Sequence, residues 1–122
     1  MCIRDRPVNI AADVHVKHAV PFPGETLLQA AKDTYLRGHA DALIITGSGT
    51  GQPVDAQDLT EIAAQLPEAP LWIGSGLTPK NAHKYLGLFD TAIVGTWLHR
   101  DGDIKAPIDA TRVETMRRAL QS

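Results

Sequence analysis

The sequence predicts an α/β fold built on a parallel sheet. Four apolar segments alternate with four amphipathic ones along the 122 residues, the pattern of strands joined by right-handed crossover helices. Two of the strands, DALIIT and PLWIGS, are almost wholly apolar, as strands are when both faces of their sheet are covered. All four end in polar or glycine-rich runs, at the edge where parallel sheets hold ligands.

The first strand is VNIAADVHV, residues 8–16. A helix from about Glu25 to Arg37 follows, with Leu28, Ala31 and Tyr35 on one face and Gly38 as its stop. The second strand is DALIIT (41–46). Asp55 then caps a helix through Leu66, Asp58 standing as the capping-box acid. Its Leu59, Ile62, Ala63 and Leu66 recur at helical spacing. PLWIGS (70–75) is the third strand, and Thr78 and Pro79 predict the cap and first residue of a third helix. TAIVGT (91–96) is the fourth. After the loop HRDGDIKAPI, Asp109 caps a last helix carrying Val113, Met116 and Leu120 on one face. Four such units are too few for a closed eight-stranded barrel, which leaves a small open sheet or half of a barrel. They form one domain over 8–122. The start MCIRDRP, residues 1–7, carries no period and reads as foreign or out of frame, or as a short disordered tail.

Net charge −2 and a pI of about 6.2 argue against a basic nucleic-acid surface. The pair Arg117–Arg118 reads as a helix C-terminus. No apolar run approaches the roughly 20 residues that span a bilayer, so direct membrane insertion is not expected. With no visible signal peptide, the expected compartment is the cytoplasm. The one cysteine, Cys2, rules out an internal disulfide framework and a cysteine-based metal site.

At the end of the first strand, Asp13, His15 and Lys17 alternate with Val14 and Val16. With the valines under helices, the three ionisable groups share the other face. Charge there is costly unless it pairs or serves a ligand. Asp13 and Lys17 favour each other's charged forms, and His15 between them carries protons near neutral pH. The same trio also reads as a structural ion network. His15 and His18 point apart in strand geometry, so no metal site is expected.

The loop TGSGTG (46–51) lacks the Gly-Lys-Ser/Thr that closes a Walker loop, and Gly51 comes one residue early for GxGxxG. Thr46 and Gly47 are candidates for sugar contact; an ordinary glycine-rich turn fits nearly as well. Gly74-Ser75-Gly76 and Gly95-Thr96 make a stronger case together. Glycine lets the main chain approach a ligand closely, and the helix expected behind Thr78 offers free N–H groups and a positive dipole end. Phosphate sites of eight-stranded barrels form from the loops after strands seven and eight. The competing reading is a tight strand-to-helix turn. No lysine or arginine sits inside either motif, and Asp101 would repel an anion unless it faces a ribose hydroxyl. Trp72 and Trp97 both read as core, with pocket lining as the alternative for Trp97.

The strings ADVHVKHA, ADALIITGSGTGQPVD, PLWIGSGLTPKN and DTAIVGTWLHRDGDIKAPIDATRV together resemble the BtpA family, in order, from about Val8 to Leu120. The resemblance implies the (βα)4 half of a TIM (βα)8 barrel of the ribulose-phosphate-binding type, strands five to eight with their helices. It implies acid/base roles for Asp13, His15 and Lys17. It also implies a phosphate site of Gly74, Ser75, Gly76, Asn81, Gly95 and Thr96. His99 stands where lysine is more often expected. Two functions follow as expectations. One is an enzyme acting on a phosphorylated sugar or nucleoside, inactive as a half-barrel alone. The other is a non-catalytic factor in biogenesis of a membrane complex such as photosystem I, peripheral to the membrane. No cofactor is expected. The expected partners are a small phosphorylated molecule and either a second copy or an N-terminal half-barrel.

Overall fold

The computed structural model describes residues 8–15, 20, 22–47 and 52–121. Lys17 and His18, the tip of the TGSGTG loop and MCIRDRP lie outside the described residues. Four strands, β1 (Ala11–Val14), β2 (Ala42–Ile45), β3 (Leu71–Ile73) and β4 (Thr91–Ala92), form one sheet in the order β1-β2-β3-β4. Every pairing is parallel. A sheet that grows in sequence order through right-handed crossovers puts all its helices on one face. Val14, Leu43, Ile45, Leu71 and Ile73 point to that face and are buried with Ala31, Leu59, Ile62 and Met116.

The opposite face lies open. Register sets Asp13 beside Ile44, Ile44 beside Trp72, and Trp72 beside Thr91. Asp13 and Thr91 are exposed, Ile44 and Trp72 half-buried. Trp72 is therefore not in the core, because alternation sends its neighbours Leu71 and Ile73 to the helices. The nearly continuous apolar strands suggested cover on both faces; here they have it on one.

Helix α1 (Leu27–Lys32) begins behind Thr26, not at Glu25. The Thr26 hydroxyl accepts from the Gln29 N–H and the Gln29 side chain accepts from the Thr26 N–H, a complete capping box. The chain continues through a wider π-type turn, Asp33–Arg37. Helix α2 (Ala56–Gln65) is capped by Asp55, which accepts from the Gln57 N–H at 2.8 Å. Its Leu59 and Ile62 are buried, as their spacing predicts.

The third helix does not form. Only a 3₁₀ turn, Ala82–Lys84, stands there, continued by i→i+3 bonds from Tyr85 N–H to Ala82 and from Leu88 N–H to Tyr85. Thr78 and Asn81 close its first turn reciprocally, as a cap does. Asn81, His83 and Tyr85 are weak helix formers, and Gly87 at φ +86° turns the chain away. The last helix, α3 (Ala110–Gln121), forms behind Asp109, which accepts from the Thr111 N–H at 2.8 Å.

Two aspartates at strand starts tie neighbouring strands together. Asp41 accepts from the Ile10 N–H at 2.7 Å, and Asp90 from the Leu71 N–H at 3.0 Å. Buried Tyr85 anchors the shortened third unit, its hydroxyl donating to the Val54 carbonyl at 2.6 Å. Burial, with the nearby Asp55 charge, raises this phenol above its ordinary value of 10.0. Because the folded value is raised, its contribution is fully present below the unfolded value and is lost as pH rises through the folded one. Tyr85→Phe is expected to cost about 1 kcal/mol at neutral pH. In urea titrations at pH 7 and above 10, the wild type loses more stability than Tyr85→Phe across that interval.

Candidate functional site

The chain makes its tightest approach where the loop after β2 meets the end of β3. Gly76 has φ +74°, a left-handed conformation that L side chains rarely adopt. A Cβ there would collide with the Gln52 carbonyl and with Pro53. A Cβ on Gly47 would collide with the same Gln52–Pro53 backbone. One on Gly74 would come within 2.6 Å of the Thr46 methyl and 2.7 Å of an Ile44 methyl. These glycines are therefore required by the fold itself.

The neighbouring polar side chains serve the same join. Ser75 is buried; its hydroxyl accepts from the Gly47 N–H at 3.1 Å and donates to the Gln52 carbonyl at 3.4 Å. The Asn81 amide donates to the Gly76 carbonyl at 2.9 Å, while its oxygen accepts from the Thr78 N–H at 2.8 Å. Ser75 and Asn81 thus hold the Gly76 turn in place. Thr46 is half-buried at the end of β2, and its hydroxyl oxygen is buried with no hydrogen-bond partner among the described residues.

Against this rigid join lies a cavity of about 280 Å³ between the ends of β3 and β4. Gly74, Ser75, Gly76, Gly95 and Thr96 line it, so five of the expected ligand-binding residues come together. Leu77, Thr78, Ile93, Val94, Trp97 and Gly102 complete the lining. Thr46, Gly47 and Asn81 stand behind the wall. Among the described residues, the main-chain N–H groups of Gly76, Leu77, Gly95 and Thr96 donate to no protein acceptor. Gly95 differs from Gly76: its φ is −131°, and a Cβ there would meet open space. The dipole of a long helix is missing behind Gly76, because the third helix is a single 3₁₀ turn. A second short turn, Thr96–Leu98, follows β4 at the cavity rim.

Among the described residues, the lining holds no lysine, arginine or carboxylate. Arg112 on α3 packs against Trp97 of the lining, a pairing that sequence spacing does not disclose. Its guanidinium donates to the Trp97 carbonyl at 2.6 Å and lies 4.7 Å from the centre of the Trp97 ring. Trp97 both lines the cavity and packs on the core. His99 braces the following loop through Nδ1 against the Ala106 carbonyl at 2.6 Å.

Of the expected acid/base trio, Asp13 and His15 lie among the described residues, and their surroundings differ. β1 ends at Val14, and His15 leaves the strand at φ +54°, so the alternation stops before Lys17. Asp13 stays exposed on the open face, while the His15 ring meets the Glu25 carboxylate at 3.2 Å. Glu25 as the partner of His15 is a pairing the sequence pattern did not suggest. Among the described residues, no three metal-ligating side chains group together, and no helix is long and apolar enough to cross a membrane.

The model of the BtpA family matches residues 2–122. An uncharacterised protein of Pyrococcus furiosus is 40% identical over 111 residues, covering 91% of this chain and 41% of that protein. The photosystem I biogenesis protein BtpA of a Synechocystis strain is 37% identical over 113 residues, covering 93% of this chain and 39% of that protein. The chain thus spans about two fifths of the length of these curated relatives. The solved native KDPGal structure superposes with a TM-score of 0.50 over 75% of this chain and 47% of that one, at 22% identity, a likeness of fold alone.

The two glycines at the cavity are expected to respond differently to a methyl group. Gly76→Ala loses at least about 2 kcal/mol from its left-handed backbone and the Gln52 collision. Gly95→Ala stays within about 0.5 kcal/mol of wild type. Urea unfolding of the two variants checks both.

Proposed function

The chain belongs to the BtpA family, and on that footing we propose that it forms half of a (βα)8 barrel that binds a phosphorylated sugar or nucleoside at its strand ends. The observation that carries the reading is the cavity between β3 and β4. Its lining includes Gly76, Leu77, Gly95 and Thr96, whose main-chain N–H groups have no acceptor among the described residues, and a Cβ on Gly95 would meet no described atom within 4 Å. A phosphoryl group supplies the acceptors those amides lack, and a volume of about 280 Å³ admits it with part of the molecule that carries it. The loops after the last two strands and a short helical turn are also where barrels of this class bind phosphate. The half-barrel reading is supported by the sheet: one face is uncovered, and β1 and β4 are both edge strands.

Acid/base chemistry in the full-length form falls to Asp13, His15 and Lys17 at the end of β1. The His15–Glu25 contact gives His15 a carboxylate partner that can orient its ring. A second reading, a non-catalytic biogenesis factor, draws on the name of the Synechocystis relative. It also draws on Ile104 and Ile108, each 62% exposed between the Thr96 turn and α3.

A thermal-shift titration with inorganic phosphate, ribose 5-phosphate and nucleoside monophosphates separates the two readings. The binding reading predicts a saturable rise in Tm that vanishes in Gly95→Asp, which puts a carboxylate at a residue that lines the cavity. Gly95→Asp itself melts within a few degrees of wild type. A folded wild-type chain that responds to none of these ligands removes the phosphate reading and leaves the biogenesis role in front.

A further inference from the structure

With no cation among the described lining residues, selectivity for an anion here rests on amides held in fixed directions. The Thr96–Leu98 turn carries part of that set, and it is only three residues long. Something outside it must keep it rigid. The segment from 96 to 112 closes on itself at both ends: the Asp109 N–H donates to the Leu98 carbonyl at 2.9 Å, and Arg112 reaches back to Trp97.

We infer that Arg112 is a positioning residue of the phosphate cavity, holding the Thr96–Trp97 amides in their binding direction through the carbonyl and ring of Trp97. The inference rests on the phosphate reading above and names the residue that prepares the site. One guanidinium makes both contacts, a hydrogen bond to the Trp97 carbonyl and a stack on its indole. Fixing carbonyl and ring together removes the rotation that would swing the preceding amides away. The geometry suits arginine specifically, since a planar fork can donate in its plane while its face covers the ring. A lysine ammonium can do one or the other. Arg112 is half-buried and stands on the first turn of α3, so the helix cap at Asp109 and this contact share one anchor. The cation also lies just behind the Trp97 wall, where it favours an anion in the cavity without touching it.

The test uses the full chain in a Trp72→Phe background, which leaves Trp97 as its only tryptophan. Arg112→Met and Arg112→Lys are compared with Arg112 by calorimetric titration of inorganic phosphate and by Trp97 emission. Arg112→Met is expected to weaken phosphate binding at least tenfold and to abolish the phosphate-induced change in Trp97 emission. Arg112→Lys restores only part of the affinity. Should Arg112→Met fail to fold, Arg112→Lys alone carries the comparison through its affinity and emission. A Met variant that binds as tightly as its parent, or a Lys variant indistinguishable from it, overturns the positioning role while phosphate binding stands. A parent that binds no phosphate overturns the phosphate reading, and the role of Arg112 falls with it.

Discussion

The contact between the Gly76 turn and the Gln52–Pro53 backbone sets the rest of the molecule's working end. Two main chains meet there with no room for a side chain on Gly47 or Gly76. Ser75 fills the seam with a hydroxyl that bonds both sides, and Asn81 locks the turn from below. Because the loop after β2 is pressed against β3, the end of β3 cannot shift sideways. The space left for a ligand therefore lies on its other side, toward β4. A packed interface of this kind makes a rigid wall, and rigid walls are what directed amides need.

The β4 side of the cavity is built differently. It has no close backbone seam; Gly95 faces open space and the Thr96–Leu98 turn is short. Its order comes from long-range ties: Arg112 to Trp97, Asp109 to Leu98, and His99 to Ala106. One wall is thus fixed by exclusion of side chains and the other by hydrogen bonds from the following helix and loop. On this division a side chain at Gly76 acts on folding, and one at Gly95 acts on the cavity that Gly95 lines.

Much of this was legible in the sequence. The four strands, the caps at Asp55 and Asp109 and the buried pair Leu59 and Ile62 follow from period and capping chemistry. The glycine-bearing ends of β3 and β4 line one cavity, because parallel strands deliver their C-terminal ends to one edge, while Thr46 and Gly47 at the end of β2 do not line it. What failed had local causes. Thr78 and Pro79 signalled a helix start, but a start signal does not guarantee propagation through Asn81, His83 and Gly87. His15 broke the alternation by taking a left-handed backbone, which no period reports. The side chains of Ser75 and Asn81 also bond the protein's own backbone, a structural duty that residue type alone does not disclose. Arg112 and Trp97 stand fifteen residues apart, a separation set by the loop and not by any helical or strand repeat.

The most direct test of the phosphate site is amide chemical-shift mapping of the folded chain on adding inorganic phosphate. The account predicts saturable shifts concentrated at Gly76, Leu77, Gly95 and Thr96, with the Asp13–His15 stretch unmoved by phosphate alone. Shifts centred elsewhere, or none at these four amides at saturating phosphate, would contradict it.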